Sequence, residues 1–421
     1  MKKAFDHTGF YPADILLPQG CDMEKWSVVA CDQYTSQPDY WDRVEEKVGD
    51  APSTLRLMLP EIYLGQSVGD RIEKINATMR DYLARGLFRT LEQSFVYTER
   101  RLACGKLRRG LVGAVDLEDY DYNSGAATLI RSTEGTVLDR IPPRVKVREN
   151  APLELPHVMV LIDDPEKTLI EKTAADKEQF EKVYDFELMQ GGGHITGYAV
   201  GGAYLEKIAR ALASLVSPAA FEKKYGVSGP VMAYAMGDGN HSLATAKACW
   251  EQVKKGLTKE QAQTHSARFA LVELVNIHDE SLEFEPIHRV VFHTEPRKLL
   301  DGLFACYPGL KGQSSGSRVG YVAGGENGQF YFGGHELAVG QLQKFLDDYI
   351  GRFGGEVDYI HGEDVVRELC KKPGTVGFLL PAMGKSELFE AVIRDGALPR
   401  KTFSMGEACD KRYYLECRRI K

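Results

Sequence analysis

No run in this chain approaches the roughly 18 consecutive apolar residues that a membrane-spanning helix needs, so no membrane partner is expected. The opening MKKAFDHTGFYPADILLPQG has two early lysines but no long apolar stretch, and a secretory leader is not expected from it. Basic residues do not dominate: 53 Lys and Arg stand against 60 Asp and Glu, a net charge of −7. That balance makes nucleic acid a poor partner, although a local basic patch would still hold a small anion. The eight cysteines, at 21, 31, 104, 249, 306, 370, 409 and 417, form no CxxC pair and no Cys/His grouping of structural-zinc spacing. They read as free thiols in a reducing cytoplasm, and zinc, haem and flavin are not expected. No internal repeat or low-complexity segment stands out.

What is present is a long chain of ordinary globular composition. With 421 residues, 43% hydrophobic and 27% charged, it exceeds one domain of about 100–200 residues. The expected fold is α+β or α/β: a mixed β-sheet region with flanking helices over 1–293, then a smaller α/β region over 294–421, where the composition turns Gly- and Ser-rich between 309 and 334. The chain centres on Pro230 to Gly256. Val231 to Met236 is an apolar run after a Gly-Pro breaker and predicts a buried strand. Gly237, Asp238, Gly239 and Asn240 form a tight polar turn. Ser242 to Lys255 predicts a helix, with Leu243, Ala246, Trp250 and Val253 at helical spacing. A turn of this kind leaves backbone N–H groups at the positive end of a helix dipole, where a phosphate or carboxylate fits. It also carries Asp238, Asn240, His241 and Ser242, whose side chains transfer protons, donate hydrogen bonds or meet a metal. The plainer alternative is a capped connection with Asn240 or Ser242 as N-cap. Phe269 to Val275 is the next apolar strand, and the β-α-β order suggests a local parallel pairing.

Other segments are read the same way. Asp70 to Ala84 and Tyr204 to Leu215 are amphipathic helices. Phe95 to Thr98 and Leu111 to Val115 are paired strands, and the arginines and lysine between them (Arg100, Arg101, Lys106, Arg108, Arg109) read as a solvated hairpin end. Val158 to Ile162 is a strand, followed by helix through about Val183. Glu134, beside Thr136 in a Ser-Thr-Glu-Gly-Thr turn between Arg131 and Arg140, suits a catalytic carboxylate or a surface turn equally. Met189 to Val200 is glycine-rich and carries His194, in a flexible hairpin or against a ligand. Glu285 to Arg289 ends in the pair His288-Arg289. A second hairpin is signalled by GGENG, and the chain ends in Pro399-Arg400-Lys401-Thr402 and a basic tail.

Assembled in order, these residues resemble the bacterial and archaeal domain-of-unknown-function family 1015, nearly end to end. That family typically shows an ADGHHRYETA stretch, and Met236 to Ala246 here is MGDGNHSLATA. Its Pro-Thr-His-Arg run is Pro286-Ile287-His288-Arg289 here. Its Arg-Leu-x-Leu-Pro run corresponds to Leu55 to Pro60, its ERT turn to Glu134-Gly135-Thr136, its Asp-Asp-Pro to Asp163-Asp164-Pro165, and its Pro-Gln-Lys-Ser-Thr run to Pro399 to Thr402. The Asp-Gly-His-His-Arg core is also similar, over the loop and its flanks, to ParB-like and sulfiredoxin-like proteins, which include free-serine kinases and nucleotide hydrolases. Asn240 replaces the family's first His and Ser242 its Arg, removing a bidentate phosphate clamp that Lys401 or Arg289 would have to replace.

The resemblance implies phosphoryl chemistry on a small hydroxyl metabolite, with a nucleotide-dependent free-serine kinase as its sharpest form. ATP or ADP with Mg²⁺ would be the cofactor. Gly237 and Gly239 would place backbone donors on phosphate, with Asn240, Ser242, Thr136 and His194 beside them. Asp238 would meet the metal, Glu134 would be the general base, and His241, Arg289 and Lys401 would stabilise the transferring group. A phosphatase or other hydrolase using the same residues, and a non-enzymatic metabolite-binding regulator, are the alternatives. Oligomeric state is left open.

Overall fold

The structure is a computed structural model that describes residues 2–64, 67–123, 125–310, 312–334, 336–399 and 401–421. Arg400, in the expected Pro-Arg-Lys-Thr run, and Lys311, in the Gly/Ser-rich stretch, lie outside the described residues. The protein is a mixed α/β fold of two compact units. The first unit comprises 1–132, 136–282 and 407–421, and the second 133–135 and 283–406.

The first unit is built on an eleven-stranded mixed sheet. Its strands lie side by side in the order Glu181–Leu188, Gly193–Val200, Phe88–Arg101, Leu107–Asp116, Phe269–Asn276, Met159–Ile162, Tyr234–Asp238, Ile130–Arg131 and Tyr120–Asp121, with Phe10–Tyr11 and Ala13–Pro18 added at two of them. Met159–Ile162 is buried at every position, as an uninterrupted apolar run between layers should be. The helix Tyr204–Leu215 lays Leu205, Ile208 and Leu212 on the sheet, where they join Phe95, Tyr97, Val160 and Trp250 in the largest core.

Three local expectations are corrected. The central strand does not pair with Phe269–Asn276. Met159–Ile162 lies between them, antiparallel to Tyr234–Asp238 and parallel to Phe269–Asn276. The helix Asn240–Lys254 carries the chain to Glu118, which Trp250 and Lys254 both contact. That is the end of the sheet where Phe269 pairs with Asp116, so the chain re-enters from there and runs against the central strand. Second, Arg100 and Arg108 are buried, not solvated. Arg100 donates to the carbonyls of Gly192, Cys409, Asp410 and Lys411, and Arg108 to that of Asp410. Third, the helix expected through Val183 is confined to Ile170–Ala175, and Glu181–Leu188 is a strand. Tyr184, Phe186 and Leu188 recur there at a period of two, which a strand buries on one face and a helix would scatter.

The segment Glu407–Lys421 belongs to the first unit. Tyr413–Tyr414 pairs with Val28–Val29, and Arg418–Arg419 with Leu153–Glu154. Arg412 is buried between Glu273 and Glu416, bonded to both. A buried charge of this kind is tolerable only because opposite charges compensate it.

The second unit holds a five-stranded antiparallel sheet in the order Glu326–Phe332, Ser317–Ala323, Val376–Leu379, His288–Phe292 and Glu356–Ile360. The helices Pro296–Cys306 and Ala338–Phe353 pack Leu299, Leu303, Leu342 and Leu346 on it around Phe330 and Phe378. The expected GGENG hairpin turns at Gly324 and Gly325, with φ of 59° and 86°. Among the described residues, no helix is long and apolar enough to cross a membrane.

Candidate functional site

The turn after the central strand is shaped by close packing. Gly239 is the N-cap of the Asn240–Lys254 helix at φ +80°, and a Cβ there would lie 3.1 Å from the Val158 Cα. No side chain caps the helix. Asn240 is its first residue, and its Oδ1 is buried without a hydrogen-bond partner. Ser242 turns its hydroxyl to His157 Nε2 at 3.4 Å. The capping alternative is therefore not what the residues do, and the N–H groups of the first turn have no side-chain acceptor. Asp238 accepts the Gly239 N–H at 2.9 Å with Oδ1 and meets Lys411 Nζ at 3.2 Å with Oδ2. Gly237 lies where the register of the strand shifts against Met159–Ile162, and a Cβ there would crowd Leu161 at 3.0 Å.

The C-terminal segment brings together four groups that the sequence reading did not single out: Asp32, His157, Lys411 and Tyr414. Pairing of Tyr414 with Val28 sets the following loop, where the Cys31 N–H donates to the Tyr414 hydroxyl at 3.4 Å. That hydroxyl shares a 2.9 Å hydrogen bond with His157 Nδ1. Burial holds the Tyr414 phenol far above its ordinary pKa, so it stays protonated. His157 Nε2 is left to face Ser242 and, at 3.9 Å, the Asp32 carboxylate. Burial raises the Asp32 carboxyl, but His157, the Gln33 amide and Lys411 outweigh it and hold the group below its ordinary value. Asp32 is ionised at neutral pH, and about a third of its side chain is exposed (31%) while His157 is covered (7%). Lys411 thus serves two carboxylates, Asp32 and Asp238.

His241, on the first turn of the helix, accepts the Val137 N–H on Nε2 at 3.3 Å. Burial lowers its pKa first, and Arg144 and Arg140 lower it further against the opposing pull of Asp32. The imidazole is neutral at pH 7 and carries its proton on Nδ1. Thr136, next to Val137, has its Oγ1 buried without a partner. Arg140 and Arg144 act on His241; Arg144 is paired with Glu61 and Lys411 with Asp238.

The other candidates lie elsewhere. His194 sits between Asp185, at 2.6 Å, and Glu187, at 2.9 Å. Burial lowers its pKa, but those two carboxylates outweigh it and raise it. The strands Phe88–Arg101, Leu107–Asp116, Phe269–Asn276 and Met159–Ile162 separate its strand from the central one. Glu134, Arg289 and Lys401 belong to the second unit, which gathers them together. Glu134 accepts the Thr402 N–H at 3.4 Å. Arg289 is fully buried and donates to Gln343 and to the Lys401 carbonyl. Its guanidinium and the Lys401 ammonium both lie over the Tyr359 ring, at 4.7 and 5.0 Å. Burial lowers the Arg289 pKa to about 10, with Tyr359 and Glu134 opposing.

Asp32, His157, Lys411 and Tyr414 were legible only as fragments: a polar Cys-Asp-Gln-Tyr after a short apolar run, a histidine ahead of a buried strand, and a basic tail. Among the described residues, no group of three His, Cys, Asp or Glu side chains is arranged to hold a metal. The Asp238 carboxylate at the turn is already paired with Lys411. The uncapped helix start suits phosphate oxygens better than a bare cation.

These features define a mixed α/β protein with a polar turn at a strand end. The chain belongs to the family described as "Protein of unknown function (DUF1015)", which matches residues 16–349. No curated protein matches it. Among solved structures it is similar to free serine kinase in complex with AMP, at 11% identity and a TM-score of 0.37, over 73% of this chain and 91% of that one. It is also similar to SbnI with a C-terminal truncation from Staphylococcus aureus, at 10% identity and a TM-score of 0.37, over 72% and 87% of the two chains. A conserved hypothetical protein from Pyrococcus furiosus matches at 13% identity and a TM-score of 0.31, over 72% and 90%.

Proposed function

We propose that the protein transfers a phosphoryl group from a nucleotide to the hydroxyl of a small metabolite, a serine-like alcohol being the sharpest form. One observation carries this reading. An ionised, part-exposed carboxylate, Asp32, and a lysine–carboxylate pair, Lys411–Asp238, converge on the uncapped N-terminus of a 15-residue helix. The first-turn N–H groups and Lys411 bind phosphate oxygens. His241, neutral, donates from Nδ1. Mg²⁺, when bound through Asp238, would neutralise phosphate charge. The acceptor oxygen attacks the terminal phosphorus, the bond to the bridging oxygen breaks, and the hydroxyl proton passes to Asp32. A loose phosphoryl-transfer transition state asks more for orientation and charge than for a strong base, so a carboxylate held ionised by His157 and Lys411 is adequate. Lys411 supplies at the turn the positive charge that Ser242 does not.

The test is thermal unfolding with ATP, ADP, AMP and phosphate, with and without Mg²⁺, joined to a serine-phosphorylation assay. A ligand at about 100 times its Kd adds about 2.7 kcal/mol. We expect a nucleotide shift that Asp238→Ala abolishes and Asp32→Asn keeps, with turnover in Asp32→Asn reduced at least about 100-fold. If Glu134→Gln rather than Asp32→Asn stops turnover, Asp32 is not the base. No shift with any phosphate compound overturns the proposal.

A further inference from the structure

An open hollow of about 460 Å³ lies on the surface of the first unit at the N-terminal side of the central strand, away from Asp238. Its volume lies in the range of roughly 300–1,000 Å³ typical of small-molecule sites. Leu129, Val216 and Val231 line it together with His7, Glu118 and Asp119.

The charges around the hollow do not balance. Asp116 is gripped by Arg268 through Nε at 2.9 Å and Nη2 at 2.6 Å. Glu118 is held by Lys254 at 2.7 Å and by the Trp250 indole. Asp119, on the same turn, has no hydrogen bond or ion pair among the described residues, and burial and Asp116 push its carboxyl up to about 6 despite Arg268 and His7. His7 is fixed at the hollow by its backbone. Its φ is +64°, and the next residue, Thr8, is tied to Phe5 and Phe10 by its hydroxyl and to the Tyr234 hydroxyl by its carbonyl. Asp119 is therefore left without a hydrogen-bonded or ion-paired cation among the described residues, in a hollow that also carries apolar side chains.

We infer that this hollow binds a small organic ammonium compound, with the ammonium on Asp119 and an alkyl or aryl body against Leu129, Val216 and Val231. The ammonium head pairs with Asp119 as Lys254 does with Glu118, and the body covers apolar side chains of the hollow. A neutral isostere lacks the charge and an anion meets repulsion from Asp119 and Glu118. The site does not depend on the phosphoryl-transfer reading.

The experiment is calorimetric titration of the full chain at pH 7.5 with butylammonium and phenethylammonium, with butanol and butyrate as neutral and anionic controls. Saturable binding of the ammonium probes is expected, at least tenfold tighter than butanol and absent for butyrate. Asp119→Asn should weaken it at least tenfold, and Val231→Trp, which places an indole in the hollow, should remove it. Asp238→Ala should bind the ammonium probes as the unaltered protein does, which separates this site from the turn. Thermal melts confirm that each variant is folded. No saturable binding, equal binding of butanol, or unchanged affinity in folded Asp119→Asn overturns the inference.

Discussion

Asp119 and Asp32 lie in the same unit and are shifted in opposite directions, and the difference is one of partners. Asp32 has His157 and Lys411 beside it and is held low. Asp119 has burial and a neighbouring carboxylate and is pushed up to about 6. For Asp119 the folded-state value lies above the unfolded one, so the unfolded chain releases the proton first as pH rises. Its contribution to stability falls between about pH 4 and pH 6 and stays lost above that. Asp119→Asn should therefore raise stability at pH 7.5 by roughly 1–2 kcal/mol after solvent screening, and by little at pH 4. Urea denaturation of both proteins at the two pH values checks this, and equal differences at both would refute the assignment. Neither residue stood out by type, because an aspartate's character depends on what lies within a few ångströms.

At the scale of elements, the turn at Gly239 joins backbone geometry to ligand binding. A side chain there meets Val158 and a left-handed backbone at once. Gly239→Ala should cost about 1–3 kcal/mol and should weaken the nucleotide shift more than the melt alone predicts, since the N–H groups it displaces are those proposed to hold phosphate. Ala244→Gly, in the same helix but away from the turn, should lose roughly 1 kcal/mol and keep the shift. Equal losses of nucleotide binding in the two would point to a purely structural turn. The strand and helix here were legible from an apolar run and 3.6-residue spacing. The helix start was not, because Asn240 and Ser242 are common caps and only their actual partners reveal that neither caps.

Across the whole molecule, the C-terminal segment binds the first unit through buried charge. Arg412 compensates Glu273 and Glu416, both buried. Burial raises the Glu273 carboxyl, but Arg412 and Arg108 outweigh it and hold it low. Arg412→Ala strands two carboxylates and should cost about 3–5 kcal/mol, read as a fall in the denaturation midpoint. Because the folded-state value of Glu273 lies below the unfolded one, its contribution is present above about pH 4.3 and is lost as pH falls through the folded value. The wild-type protein should therefore lose stability in acid more steeply than Arg412→Ala. Parallel acid titrations of the two would refute this account of the network.

Periodicity and turn chemistry were enough to place the helices Val68–Ala84, Tyr204–Leu215 and Asn240–Lys254, several of the central strands, the mixed sheet class, the GGENG hairpin and the polar turn at Asp238, because those depend on residues a few positions apart. Family membership was legible from short motifs in order. The strand order, the burial of Arg100, the strand at Glu181–Leu188 and the company of Asp32 were decided only in three dimensions. Asp32 meets Lys411 and Tyr414 through pairing of Val28–Val29 with Tyr413–Tyr414, a contact between the two ends of the chain. No local spacing encodes such a contact, since it is settled by which buried surfaces and charges can be satisfied together.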